Sequence, residues 1–287
     1  MLTRLAPTPS GFLHLGNIYN FLLNWLWAKS NGSKVLLRID DGDAERKRLE
    51  YVEDIFHVLD WLGLYWDIGP TGPTDFEKHW SQIHRKDLYE NVLKELTEKQ
   101  LVFGCDCSRK KISNNIFSDQ CTCKEKLLPL SMRDVAWRMK LDGNPIISLQ
   151  DRQLGIVSVD LTLSAGSFVV KKKDGMPAYQ ICSLADDQYF GVTHICRGED
   201  LLPSTAMQLF VDKQMHFNYH NNCNFWHHRL LLTTDGSKLS KSAGTMRSSI
   251  IGTISKKQLL TRFAQWMGWK EVSTLTEMLA SAAFSDY

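Results

Sequence analysis

Two hydrophobic periods run along this chain. The opening "LTRLAP" is a short apolar run stopped by proline, which predicts a strand. Ile18, Phe21, Leu22, Trp25 and Leu26 then recur at helical spacing, so a helix is expected to start near Asn17. "KVLLRID" at 34–40 is a continuous apolar run of the kind shown by a strand buried on both faces. Strand, loop, helix and strand make a βαβ unit and imply a parallel sheet. Val52, Ile55, Phe56, Leu59 and Leu62 predict another helix, and Leu88, Val92, Leu93 and Leu96 one more. Further on, "IVSVDLTL" and "FVVKKK" are strand-like, "QYFGVTHICRGED" returns to the buried-strand pattern, and "LLPSTAMQLFVDKQM" reads as the helix after it. The simplest organisation is a parallel α/β domain with halves at 1–97 and 166–245, split by an insertion at about 98–165 and followed by a short helical tail at 246–287. No internal repeat or low-complexity tract interrupts this order, and Lys171–Lys173 reads as a solvated strand end.

The bulk numbers narrow the class. The 287 residues, 43% hydrophobic and 23% charged, suffice for a sizeable core and about two ordinary domains. A net charge of +2 neither requires nor excludes a nucleic-acid partner. The start "MLTRLAPTPS" lacks the apolar stretch of a signal peptide, and "IYNFLLNWLWA" is too short to span a bilayer, so a cytoplasmic protein with no membrane partner is expected. In that reducing setting disulfides are not expected. Of seven cysteines, Cys182, Cys196 and Cys223 read as small buried hydrophobes. The other four form "CDCSRKKISNNIFSDQCTC", two Cys-x-Cys pairs. Cys105, Cys107, Cys121 and Cys123 fit a tetrahedral zinc site; the competing reading is four unrelated core cysteines, against which Gly104, Asp106, Ser108 and Thr122 supply a polar, turn-rich setting.

Two stretches carry candidate chemistry. In "APTPSGFLHLGN", Gly11 and Gly16 clear space near the backbone, and the helix that follows offers free N–H groups and a positive dipole end to a phosphate. His14, just before that helix, is placed to donate to a phosphate oxygen; alone it would read as a structural turn histidine. "KLSKS" at 238–242 adds Lys238 and Lys241 in a Gly- and Ser-rich loop, mobile positive charge for a polyphosphate or simply a basic solvated loop.

With both stretches in one chain, the sequence resembles the class I aminoacyl-tRNA synthetases, and "RLAPTPSGFLHLGN", "RIDDGDAER", "DGMPAYQ", "GVTHICRGEDLLPSTAMQ" and "KLSKS" resemble the glutamyl-tRNA synthetase group over about residues 2–245. The resemblance implies a Rossmann-like catalytic domain. Only some forty residues follow "KLSKS", fewer than the anticodon-binding region of that group would need. A short chain with a cysteine-rich insertion is similar to the glutamyl-Q tRNA(Asp) synthetase family, which activates glutamate with ATP and attaches it to queuosine in the anticodon of tRNA-Asp.

This resemblance implies ATP with Mg²⁺, L-glutamate and queuosine-modified tRNA-Asp as partners, and a monomer is favoured. It assigns phosphate contact to His14, close adenine packing to Gly16, and charge stabilisation to Lys241 with Lys238 in support. It assigns the amino acid to Arg4, Ala6, Thr8, Asp40, Tyr179 and Arg197. In that family one structural zinc is held by Cys-x-Cys, a tyrosine and a later cysteine. Here the tyrosine position is Phe117, so Cys123 is expected to complete a four-cysteine set, with Arg109, Lys110 and Lys111 on the same loop facing RNA. The family's motif also has glutamate where this chain has Asp40, a carboxylate shorter by about 1.5 Å. The alternative for Asp40 is an ion pair with Arg38 or Arg46, with Asp41 or Asp43 serving instead; for Arg197 it is pairing with Glu199 or Asp200. Competing functions are a truncated glutamyl-tRNA synthetase paralogue acting on a tRNA 3′ end, a non-catalytic RNA-binding module, and a nucleotidyltransferase joining ATP to another small acid.

Overall fold

The structure, a computed structural model, describes residues 1–108, 122–219, 222–231, 248–269 and 272–280. In chain order its main elements are β1 (Leu2–Leu5), α1 (Leu15–Ser30), β2 (Lys34–Leu37), α2 (Leu49–Leu62), α3 (Lys86–Glu98), β3 (Val102–Cys105), β4 (Ala136–Met139), β5 (Ile146–Asp151), β6 (Gly155–Asp160), β7 (Val169–Lys171), α4 (Tyr179–Phe190), β8 (His194–Gly198), α5 (Leu202–Met215), β9 (Asn224–His228), α6 (Lys256–Met267) and α7 (Leu275–Ala280). Short turns fill much of Pro73 to Arg85. No helix among the described residues is long and apolar enough to cross a membrane. The chain divides into two compact units, one of Met1–His84, Val192–Gly198 and His228–Tyr287, the other of Arg85–Gly191 and Glu199–His227.

The first unit contains the expected βαβ. β1 pairs in parallel with β2 from Leu2↔Lys34 to Leu5↔Leu37, and both strands are apolar and buried apart from Lys34, Thr3 and Arg4. α1 buries ten of its residues, Ile18 to Ala28 among them, so it is apolar nearly all round. It begins at Leu15, two residues earlier than its periodicity suggested, because His14 and Asn17 form a reciprocal capping box. β8 lies beside β1: the Thr193 amide donates to the Leu2 carbonyl at 2.9 Å, and the Thr3 hydroxyl to the His194 carbonyl at 3.1 Å. α6 packs on α1 through Tyr19, Phe263 and Trp266, with ring centroids 5.2 Å apart for Tyr19–Phe263. The short helical tail of the sequence reading is thus α6 and α7.

The second unit has its own core, built from α3, α4, α5 and strand residues such as Met139, Ile147 and Val170. β3, β4 and β7 form an antiparallel sheet, β5 and β6 a hairpin, and Asp151 at the end of β5 meets Phe225 of β9 in parallel. "QYF", expected in a strand, ends α4 instead. Buried Asp186 accounts for the missed helix. It takes a two-pronged ion pair from Arg85 at 2.7 and 3.0 Å and the Tyr89 hydroxyl at 2.8 Å, so a charged residue sits on the buried face where an apolar one would mark the period. Burial, with the Asp186 charge behind it, pushes the Tyr89 phenol well above its ordinary range. Cys182 and Cys196 are buried, as expected; Cys223 is only half-buried, its thiol 3.8 Å from the Tyr219 carbonyl.

Candidate active site

The ladder between β1 and β2 continues past the strand ends: the Arg38 amide donates to Leu5 at 2.9 Å and the Asp40 amide to Pro7 at 2.8 Å. Ala6, Thr8 and Asp40 therefore leave the carboxyl ends of two adjacent parallel strands, where open α/β sheets bind ligands. Ala6 is half-buried and Thr8 exposed. Arg4, buried on β1, donates from Nη1 to the Cys196 carbonyl of β8 at 3.3 Å. Asn20 and Asn24 of α1 reach the same carbonyl at 3.3 and 3.2 Å. Arg197, the next residue on β8, is buried as well. One edge of this unit thus gathers Arg4, Ala6, Thr8, Asp40 and Arg197. Tyr179 is the first residue of α4 in the other unit, with its ring partly exposed.

Asp40 is clasped by Arg38, with Nε to Oδ1 at 2.7 Å and Nη2 to Oδ2 at 3.1 Å, both side chains buried. Residues two apart on extended chain share a face, so this pair was readable in "RID". A carboxylate has about four acceptor sites, and the fork occupies one on each oxygen. Asp41 is committed to the loop itself: it accepts from Ser81 Oγ at 2.6 Å, Gln82 N at 2.8 Å and Lys47 Nζ at 3.0 Å. Burial lowers the Lys47 ammonium, but Glu77 and Asp41 outweigh it and hold the group above the ordinary lysine range. Asp43 pairs with Arg46 at 2.7 Å.

His14 caps α1 with its ring. Nδ1 accepts from the amides of Gly16 at 3.1 Å and Asn17 at 3.4 Å, while Asn17 Oδ1 accepts from the His14 amide at 3.2 Å. Two first-turn amides expected to be free for a phosphate are therefore taken by the imidazole. An accepting Nδ1 in a neutral ring puts the proton on Nε2, so the helix start offers a side-chain donor in their place. The ring lies against Gly16, where a Cβ would come within 3.0 Å of His14 Cε1. That contact is a physical reason for the His-x-Gly spacing.

Two residues escaped the sequence reading. Asn20 had no motif around it. Asp54 of α2 accepts the Leu13 amide at 3.0 Å, yet it lies off the apolar stripe that defined its helix. No signal in the sequence pointed to its burial.

In the second unit Cys105 and Cys123 are buried and Cys107 half-buried, with the three sulfurs within 4.8 Å of one another and Cys107–Cys123 at 3.4 Å. In a tetrahedral zinc–thiolate site, with Zn–S near 2.3 Å, sulfurs stand about 3.8 Å apart. The three thiols fit such an ion. Cys121, Phe117, Arg109, Lys110, Lys111, Lys238 and Lys241 lie outside the described residues.

Parallel strands that end in arginines and a carboxylate, beside a helix opened by His-x-Gly, place the chain among the α/β proteins that bind ligands at strand ends. It matches the family described as tRNA synthetases class I (E and Q), catalytic domain, over residues 1–286, and it belongs to that family. It is 31% identical over 256 residues to glutamate–tRNA ligase 1 of Thermoanaerobacter pseudethanolicus, covering 84% of this chain and 52% of that one. It is 33% identical over 243 residues to the glutamyl-Q tRNA(Asp) synthetase of Methylococcus capsulatus, covering 84% and 76%. The crystal structure of glutamate–tRNA synthetase from Elizabethkingia anophelis superposes with a TM-score of 0.78 at 25% identity, over 97% of this chain and 65% of that one. The chain thus spans about half the length of the glutamate–tRNA ligase with which it shares 31% identity.

Proposed function

We propose that this chain activates glutamate with ATP and transfers it to queuosine in the anticodon of tRNA-Asp. The observation that carries the reading is the gathering of His14, Arg4, Arg197 and Asp40 at one edge of the first unit, at strand ends and a helix start. The similarity to a glutamyl-Q tRNA(Asp) synthetase, 76% of which is covered, supports the acceptor. In the first step a glutamate carboxylate oxygen attacks the α-phosphorus of ATP and pyrophosphate leaves. The nucleophile is already ionised, so the chain's work is positioning and charge stabilisation. His14 donates from Nε2 to a phosphate oxygen, and Lys241, supported by Lys238, neutralises charge on the triphosphate, which arrives with Mg²⁺. Gly16 gives the adenine close approach. Arg4, Ala6, Thr8 and Arg197 line the glutamate subsite, the arginines facing its carboxylates.

The substrate ammonium meets the Asp40 carboxylate, whose position Arg38 fixes. In the second step a queuosine hydroxyl attacks the activated carbonyl and AMP leaves. Residues of about 98–165 form the insertion, and Cys105, Cys107, Cys121 and Cys123 would hold one zinc whose part is to fix that loop.

ATP–pyrophosphate exchange over a panel of amino acids tests the first step. Glutamate should support exchange, and Asp40→Asn should lower it by roughly a hundredfold. Asn is the informative variant, because Asp40→Ala would strand the buried Arg38 guanidinium. Exchange with another amino acid and not glutamate would overturn the substrate. For the second step, labelled glutamate should join tRNA-Asp carrying queuosine and not the unmodified transcript. Equal labelling of both, mapped to the 3′ end, would favour the truncated-paralogue reading, which the similarity to glutamate–tRNA ligases supports.

A further inference from the structure

We infer that Asp54 is a positioning residue for the loop "GFLHLGN", fixing where His14 presents its Nε2 proton; this rests on the reading of that loop as the phosphate-contacting one. Asp54 is 3% exposed, and its Oδ2 accepts the amide of Leu13, itself buried, at 3.0 Å. Its Oδ1 has no hydrogen-bond partner among the described residues. One turn earlier on α2, the Tyr51 ring meets Phe12 edge-on, with centroids 5.1 Å apart at 80°. Positions three apart on a helix share a side, so α2 grips two consecutive loop residues by two different contacts. The next residue is His14. Its ring is fixed to α1 through the Gly16 and Asn17 amides, and its backbone comes straight from the bond to Asp54.

Asp54 lies at the margin of the buried face of α2, one turn before buried Val58, so its carboxylate is drawn out of water together with the apolar residues of that helix. A carboxylate with one oxygen lacking a partner is an expensive group to bury. What it provides is a charge-assisted bond to one backbone amide, stronger than a neutral acceptor gives. Without it the Leu13 amide is left buried and unpartnered, and the segment delivering His14 loses its anchor. The consequence falls on catalysis rather than on glutamate binding, whose residues lie outside the segment 11–17.

The test uses the full chain with wild type, Asp54→Ala and Asp54→Asn. Ala is the better helix former, so α2 is retained. Asn keeps a carbonyl that accepts the same amide. Asp54→Ala should lower kcat for glutamate-dependent exchange by about tenfold to a hundredfold, the scale of a small misplacement. The KM for glutamate should stay within about twofold, and Asp54→Asn should recover most of the loss. Hydrogen exchange over residues 11–17 is the second readout, and it needs no substrate. The loop amides should exchange faster in Asp54→Ala and nearly as in wild type in Asp54→Asn. An unchanged kcat in Asp54→Ala, or an Asn variant as impaired as Ala, overturns the inference. If wild type activates no glutamate, the reading of the site fails, and unchanged exchange in Asp54→Ala would still overturn the anchor on its own.

Discussion

His194 shows how much a single position owes to its surroundings. On sequence it is one histidine in "GVTHICRGED"; in the structure it is buried at the start of β8, its ring 4.2 Å from that of Trp27 and its Nδ1 2.8 Å from the Thr193 hydroxyl. Burial, aided by the positive N-terminus, pulls its pKa down from 6.5 to about 4. The unfolded chain binds that proton more readily than the folded one. Stability is therefore highest above about pH 6.5 and declines as pH falls toward 4, by at most about 1.4 kcal/mol per pH unit for one proton. Urea titrations between pH 7.5 and 4.5 should show the decline in wild type and a shallower one in His194→Gln; parallel curves would rule it out. Asp40 teaches a related lesson. Its identity was the notable departure in the sequence, while its bidentate hold on Arg38 follows from strand alternation and needed no tertiary contact.

At the scale of elements, legibility followed amphipathicity. α2 and α3 were plain because their apolar residues recur on one side. α4 was not, since Ser183, Asp186 and Asp187 are buried with Ile181 and Leu184 and no polar face remains to set the period. β3 was hidden in its four-residue length, yet it delivers the first cysteine of the metal cluster. Gly104 makes that possible: a Cβ there would sit 2.7 Å from the Leu128 carbonyl and 2.9 Å from Val135 Cγ1. Backbone cannot yield as a flexible side chain does, so Gly104→Ala should cost about 1–3 kcal/mol. It should also move Cys105, so bound zinc per chain should fall. Full metal content with an unchanged melting temperature would show that the close approach is not needed.

For the whole molecule, the two units carry separate cores, and Cys105, Cys107 and Cys123 all belong to the second. A bound ion stabilises what it binds by mass action, and the three cysteines that could hold one stand at and just beyond the end of β3 and in the turn at Thr122–Lys124. Chelation should therefore raise hydrogen exchange in β3, β4 and β7 while β1, β2 and β8 keep their protection. Equal loss in both sets would mean that the metal stabilises the chain as one body. The sequence by itself determined the βαβ start and the cysteine pairs, because each depends on spacing along the chain and on periodicities of 2 and 3.6 residues, while its motifs carried the resemblance to the family. Only the tertiary structure decided that Asp41 is spent on Ser81 and Gln82 and that Asp54 holds the residue before His14. Those outcomes turn on groups far apart in sequence competing for the same few hydrogen bonds, and no local pattern records who wins.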